Sequence, residues 1–247
     1  MSFCRKTNVL LLSSIVTLLL STSGNSAMKK NQEDDKFLQQ RFEMLETQLY
    51  PRGIRDKNVL ESMATVPRHL FVPIALRERA YDDNPLPIGY DQTISQPYIV
   101  ALMTEAAELK KTDIVLEIGA GCGYSAAVLS HLAKHVYSIE IVPELAKLAK
   151  RNIEKLNYKN ITIIAGDGSI GLPEYGPFNA ILVTAMAPTI PPSLKEQLAL
   201  NGRLIIPVNN GITEELKKFI RLDKNTYQEE SLGAVRFVPL KGHEGWL

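Results

Sequence analysis

The sequence predicts a doubly wound, mostly parallel α/β sheet with a small helical N-terminal cap and an antiparallel C-terminal edge. Three observations carry that expectation. Strand-like and helix-like segments alternate from residue 113 to residue 208, the pattern of right-handed crossovers in a parallel sheet. The apolar run Ile114-Val115-Leu116-Glu117-Ile118 breaks into Gly119-Ala120-Gly121-Cys122-Gly123, a buried strand turning sharply into a helix. Acids then fall at the ends of three successive strands, as Glu117, Glu140 and Asp167.

From the N-terminal side, Phe37, Leu38, Phe42, Leu45 and Leu49 recur at helical spacing over 35–50, and Pro51-Arg52-Gly53 stops the run. A second short helix is expected over 56–64. The stretch 66–73 is broken by prolines, and 81–96 reads as a long polar connection. Long ordered loops are usually functional, and Leu86 and Ile88 are apolar enough to pin this one to a core. Pro97 opens a helix to about Leu109, because the first helical turn tolerates a missing N–H. Strands are expected at 113–118, 135–140, 161–165, 178–183 and 203–208, with helices at 124–133, 143–156 and 192–200. Segments 215–222 and 234–240 are expected to pair as the antiparallel edge.

Composition narrows the function. The 247 residues are 45% apolar, and 28 Lys plus Arg against 27 Asp plus Glu leave a net charge of +1. A general nucleic-acid binder needs concentrated basic surface, so no nucleic-acid partner is expected. The two cysteines, Cys4 and Cys122, and the scattered His69, His131, His135 and His243 give no metal-ligand spacing. Residues 1–27 have the architecture of a targeting segment: Arg5 and Lys6 precede the apolar run Val9–Leu20, and a small polar stretch leads to Ala27. Twelve residues are short for a span of about 20, and Asn25 spoils the cleavage pattern.

In doubly wound sheets ligands bind at the carboxyl ends of the strands. Gly119, Gly121 and Gly123 permit close backbone approach there. Glu140 can accept from two ribose hydroxyls, since a carboxylate has two acceptor oxygens and no donor. Asp167, within Gly166-Asp167-Gly168, can accept from an exocyclic adenine amine. A dinucleotide fingerprint would read GxGxxG, and this loop is one residue short. Glu117 just before it would repel phosphates and suit a cationic sulfonium and amino group, so S-adenosyl-L-methionine fits better than NAD. Strand-end acids also serve as helix caps or solvated loop charges.

These glycines resemble motif I of the class I S-adenosylmethionine-dependent methyltransferases, and the chain from about Arg41 to Leu240 resembles one family more closely. Pro85-Leu86-Pro87-Ile88-Gly89-Tyr90-Asp91-Gln92-Thr93-Ile94-Ser95-Gln96-Pro97-Tyr98, Val115–Gly119, Gly166–Gly168 and Val235–Leu240 are similar to the protein-L-isoaspartate O-methyltransferases. The resemblance implies a Rossmann-like methyltransferase fold and methyl transfer from S-adenosyl-L-methionine to the free α-carboxylate of L-isoaspartyl residues in damaged proteins. The ester then collapses to a succinimide that can reopen to aspartate. It also implies Ser95 as the active-site serine, with Thr93, Ile94 and Gln96 in the same substrate loop, and Glu117, Gly119, Gly121, Gly123, Glu140, Asp167 and Gly168 around the cofactor. The Ser95 hydroxyl is read as a donor that orients the substrate carboxylate, although Ser95 before Pro97 is also an attractive helix N-cap.

On this reading the chain divides into a leader or anchor (1–27), a helical region with the substrate loop (28–96) and a cofactor-binding domain (97–247). A monomer without metal is expected. Membrane contact arises only if the leader is an uncleaved anchor. Family habit implies the cytoplasm, whereas residues 1–27 imply export or anchoring unless Met28 is the true start. Asp91, Ala120, Cys122 and Met186 depart from the family pattern. Asp91, where glycine is common, could repel the substrate carboxylate. Two rivals are a methyltransferase for another substrate and a cofactor-binding paralogue without turnover.

Overall fold

The computed structural model describes residues 28–209, 211 and 213–246. Residues 1–27, where a leader or anchor is expected, and with them Cys4, lie outside the described residues. Met1–Gln40 and Arg41–Leu247 are separate compact units. The second holds the sheet and every expected site residue.

Helix α1 (Met28–Met44) continues into a single π turn, Leu45–Leu49, and a 3-10 turn, Tyr50–Arg52. Gly53, in the left-handed region at φ +102°, ends it. Helix α2 (Lys57–Thr65) is capped by Asp56, whose carboxylate accepts from the amides of Asn58 and Val59. Between Arg68 and Arg79 the chain forms two 3-10 turns, each preceded by a proline, Pro67 and Pro73.

The expected long connection at 81–96 is a short antiparallel hairpin, β1 (Leu86–Gly89) and β2 (Gln92–Ile94). Its two central residues, Tyr90 and Asp91, have φ of +54° and +55°, the signs of a type I′ turn. Leu86 and Ile88 are buried as expected, and they anchor the hairpin.

Helix α3 (Pro97–Ala106) leads to β3 (Ile114–Ile118), then α4 (Tyr124–Ser130), β4 (His135–Glu140), α5 (Pro143–Lys155), β5 (Ile161–Ala165), β6 (Phe178–Val183), α6 (Pro192–Glu196) and β7 (Leu198–Asn209). The expected helix 192–200 stops early because Leu198 already pairs with Phe178 on β6. The edge is formed by β8 (Glu214–Arg221) and β9 (Tyr227–Ala234). The expected strand at 234–240 is therefore corrected. Its apolar residues pack inward, with Leu240 buried, while the polar, exposed β9 is the outermost strand.

The sheet order is β5-β4-β3-β6-β7-β8-β9, with β3 to β7 parallel and the last two strands antiparallel. Successive residues of β3 and β6 face opposite ways. Leu116, Ile118, Ile181 and Val183 join one apolar cluster, and Val115, Ala180 and Leu182 join the other. Apolar burial on both faces is what a parallel strand requires. The chain winds outward from β3 to β5, then returns to place β6 on the other side of β3. That reversal opens a crevice at the carboxyl ends of β3 and β6, where the motifs lie.

Candidate active site

The loop after β3 is tied to its neighbours by backbone and side-chain bonds. The amides of Gly119 and Ala120 donate to Ile139 O at 2.8 and 3.2 Å, and Thr184 N donates to Ile118 O at 2.9 Å. Thr184 Oγ1 donates to the carbonyls of Ile118 and Gly119 at 3.0 and 2.8 Å. A Cβ on Gly119, at φ +98°, would overlap Thr184 Oγ1, so glycine is needed for the two loops to meet.

Glu140 fixes the next turn. Its Oε2 accepts from Gly121 N at 2.8 Å and its Oε1 from Val142 N at 3.0 Å, so one carboxylate holds the glycine loop and the loop after β4. Glu140 is 6% exposed and lines a pocket with Ile118, Gly119, Gly121, Ile141 and Gly168. A Cβ on Gly168 would stand 2.6 Å from Ile139 and 2.7 Å from Ile118, which keeps the floor bare.

A second, open groove of about 830 Å³ adjoins this pocket. Thr93, Ser95, Thr184 and Val238 line both. Ser95 therefore stands where the two meet. Its hydroxyl makes no hydrogen bond among the described residues. The N-cap of α3 is Gln96, not Ser95, so capping does not explain the serine.

A family model, protein-L-isoaspartate(D-aspartate) O-methyltransferase (PCMT), matches residues 39–245. The chain belongs to that family. It is 52% identical over 204 residues to a protein-L-isoaspartate O-methyltransferase of Protochlamydia amoebophila, covering 82% of this chain and 97% of that one. It is 58% identical over 212 residues to one of Synechococcus sp., covering 83% and 87%. Among solved structures it resembles a protein-L-isoaspartate O-methyltransferase at a TM-score of 0.75 and 30% identity, covering 83% of this chain and 67% of that chain. It also resembles a Plasmodium falciparum beta-aspartate methyltransferase (PCMT) solved with S-adenosyl-L-homocysteine, at a TM-score of 0.71 and 29% identity, covering 81% and 97%. The activity is S-adenosylmethionine-dependent O-methylation of isoaspartyl proteins, a repair reaction.

The expected site residues fall into three groups. Gly119, Gly121, Glu140 and Gly168 line the pocket with Thr93, Ile94 and Ser95. Gly123, at φ +88°, is the N-cap of α4 and does not line it. Gln96 lines the groove, but its amide turns to Asp83, donating to the Asp83 backbone carbonyl at 3.0 Å and to its carboxylate at 2.8 Å.

Glu117 and Asp167 form the third group, outside the pocket lining. Glu117 is fully buried opposite Ser138 on β4, whose hydroxyl donates to it at 2.5 Å. Burial pushes its carboxyl up to about 7, against the hydrogen bonds of Ser125 and Ser138, with the Glu140 charge raising it further. Asp167 accepts from Ser169 N at 2.8 Å and Ser169 Oγ at 2.7 Å, and from His243 N at 2.7 Å. It clasps the C-terminal segment, whose Leu240 and Lys241 line the pocket. Those bonds hold its carboxyl below the ordinary range despite partial desolvation.

Sequence reasoning missed Thr184, Ile141, Val142 and Lys241 as lining residues. The first three follow β6 or β4 at strand ends, so the rule that located Glu140 could have found them. Asp91 is exposed at the hairpin tip and lines neither space. Cys122 is buried, and burial pushes its thiol up to about 11, which suits packing rather than reactivity.

Glu117 makes stability depend on pH. Its native pKa exceeds the ordinary value of 4.5, so between about pH 4.5 and 7 the native state binds more protons than the unfolded state. Stability contributed by this site therefore falls as pH rises through that window. Glu117→Gln is expected to gain on the parent by on the order of 1–3 kcal/mol between pH 5 and pH 8, measured by urea unfolding. An equal difference at both pH values would contradict the assignment.

Proposed function

We propose that Ser95 orients the isoaspartyl α-carboxylate by donating a hydrogen bond to one of its oxygens, leaving the other free to attack. The observation that carries this is the position of a free Ser95 hydroxyl at the junction of the two spaces, where it is not the helix cap. The pocket fits a nucleoside cofactor: glycines keep its floor bare and Glu140 faces it as an acceptor. Glu140, Gly119, Gly121 and Gly168 would hold S-adenosylmethionine. When bound, the cofactor supplies an electrophilic methyl group on a sulfonium.

The chain's own task is alignment. Carboxyl groups have pKa values near 4, so the substrate is already ionised at neutral pH and no strong base is required. Thr93 and Ile94 extend the contact made by Ser95, and Gln96, held to Asp83, fixes the chain just beyond it. Apolar Ile118, Val100 and Val238 line the same pocket and limit water. Gly123 acts indirectly, by starting α4 at the end of the glycine loop, and Asp167 by holding the C-terminal wall. Glu117, buried outside the pocket lining, acts indirectly, through its bond to Ser138 across the β3–β4 pair.

Ser95→Ala is expected to lower turnover of an isoaspartyl peptide by about 10-fold or more, with little change in cofactor affinity. Full turnover in that variant would contradict the proposal. Asp91→Gly is expected to leave kcat/KM within about twofold of the parent, because an exposed charge is screened. A large gain would restore the case for interference by Asp91.

We further infer a monomer in the cytoplasm, where the methyl donor is made. Among the described residues no helix is long and apolar enough to cross a membrane. Fractionation with N-terminal sequencing checks the location, and recovery of a mature chain from an exported fraction would overturn it.

A further inference from the structure

The larger groove carries a charge that the methyl-transfer reading does not use. Arg52 and Arg236 are the charged side chains lining it. Arg52 is neutralised by Asp83 at 2.9 Å, and its guanidinium lies 3.5 Å above the Tyr98 ring. Arg236 is exposed and has no partner among the described residues. The groove therefore holds one uncompensated positive charge.

The main chain around Arg236 is equally unengaged. Val235 N donates to Glu214 O at 3.0 Å, and Val238 O accepts from Met186 N at 2.8 Å. Between these anchors Arg236 and Phe237 make no main-chain hydrogen bond among the described residues. Both line the groove, so this stretch runs along its wall without being part of the sheet.

Position along the chain decides what the charge reads. Val238 lines both the groove and the cofactor pocket, whereas Arg236 lines the groove alone. Two extended residues span about 7 Å, roughly one side-chain repeat on the same face. The reacting carboxylate belongs at the junction beside Ser95. Arg236 is thus placed to meet a side chain flanking the isoaspartate, not the isoaspartate itself.

We propose that Arg236 selects isoaspartyl peptides carrying an acidic side chain close to the damaged residue. The inference rests on the Ser95-centred reading of the site. Asp or Glu at the flanking position gains an ion pair with Arg236, and Lys or Arg there meets like charge. Exposed pairs contribute modestly, so the discrimination is a matter of several-fold in kcat/KM.

The test uses isoaspartyl peptides identical except at single positions on either side of the isoaspartate, filled by Glu, Gln or Lys. Methyl transfer is measured for the parent and for Arg236→Lys, Arg236→Gln and Arg236→Glu. At one or more positions the parent is expected to favour Glu over Lys by about 3- to 10-fold. Arg236→Lys keeps that order, Arg236→Gln levels it and Arg236→Glu reverses it, and raising the salt concentration shrinks it. A Glu/Lys ratio that is the same in the parent and Arg236→Gln at every position overturns the role of Arg236 alone. A parent that methylates none of the isoaspartyl peptides overturns both this inference and the reading beneath it.

Discussion

The Glu140 carboxylate is the interaction on which the site depends. It ends β4 and is almost wholly buried, yet it answers two loop amides, Gly121 N at 2.8 Å and Val142 N at 3.0 Å. Charge-assisted bonds of this kind are stronger than neutral ones. They hold the two loops at the carboxyl ends of β3 and β4 against each other. A glycine loop alone has many conformations, and this one is restrained from its outer side by an acid and from its inner side by Thr184. The carboxylate still faces the pocket with acceptor capacity left over.

Around that fixed corner the remaining walls come from distant parts of the sequence. The β1–β2 hairpin leans on the glycine loop, since a Cβ at Gly121 would lie 3.3 Å from Ile88 Cδ1. It thereby carries Thr93, Ile94 and Ser95 to the pocket mouth. The C-terminal segment supplies the other wall. Besides the Asp167 clasp, Glu244 N donates to Ser169 Oγ at 2.9 Å, Ser193 Oγ donates to Glu244 at 2.6 Å, and Trp246 Nε1 donates to Met186 O at 3.1 Å. The pocket and the groove thus share a boundary made by the hairpin and this strap. On the proposed reading methyl donor and acceptor meet there, because two separate segments are held to one sheet.

The parallel core was legible because its strands are apolar runs bounded by glycine, proline and strand-end acids. Glu140 and the glycines were legible for the same reason. The hairpin was not, since Tyr90-Asp91 lacks the Asn-Gly or Asp-Gly pair that announces a type I′ turn. Strand β9 was hidden by its polarity: an outermost strand needs no apolar face, and the apolar residues just beyond it drew the expectation to 234–240. Glu117 and Asp167 show the limit of the strand-end rule. Both acids stand near strand ends, but the strand's alternation turns Glu117 into the sheet towards Ser138, and Asp167 is engaged by residues 76 positions away in sequence, which no local pattern reveals.

The central claim, that Glu140 organises the cofactor pocket, is tested most directly by calorimetric titration of S-adenosyl-L-homocysteine into the parent, Glu140→Gln and Glu140→Ala. Losing the charge-assisted bonds is expected to weaken binding by about 10-fold or more in both variants, with Glu140→Ala the weaker, while far-UV circular dichroism stays that of the parent. Parent-like affinity in Glu140→Ala would contradict the account.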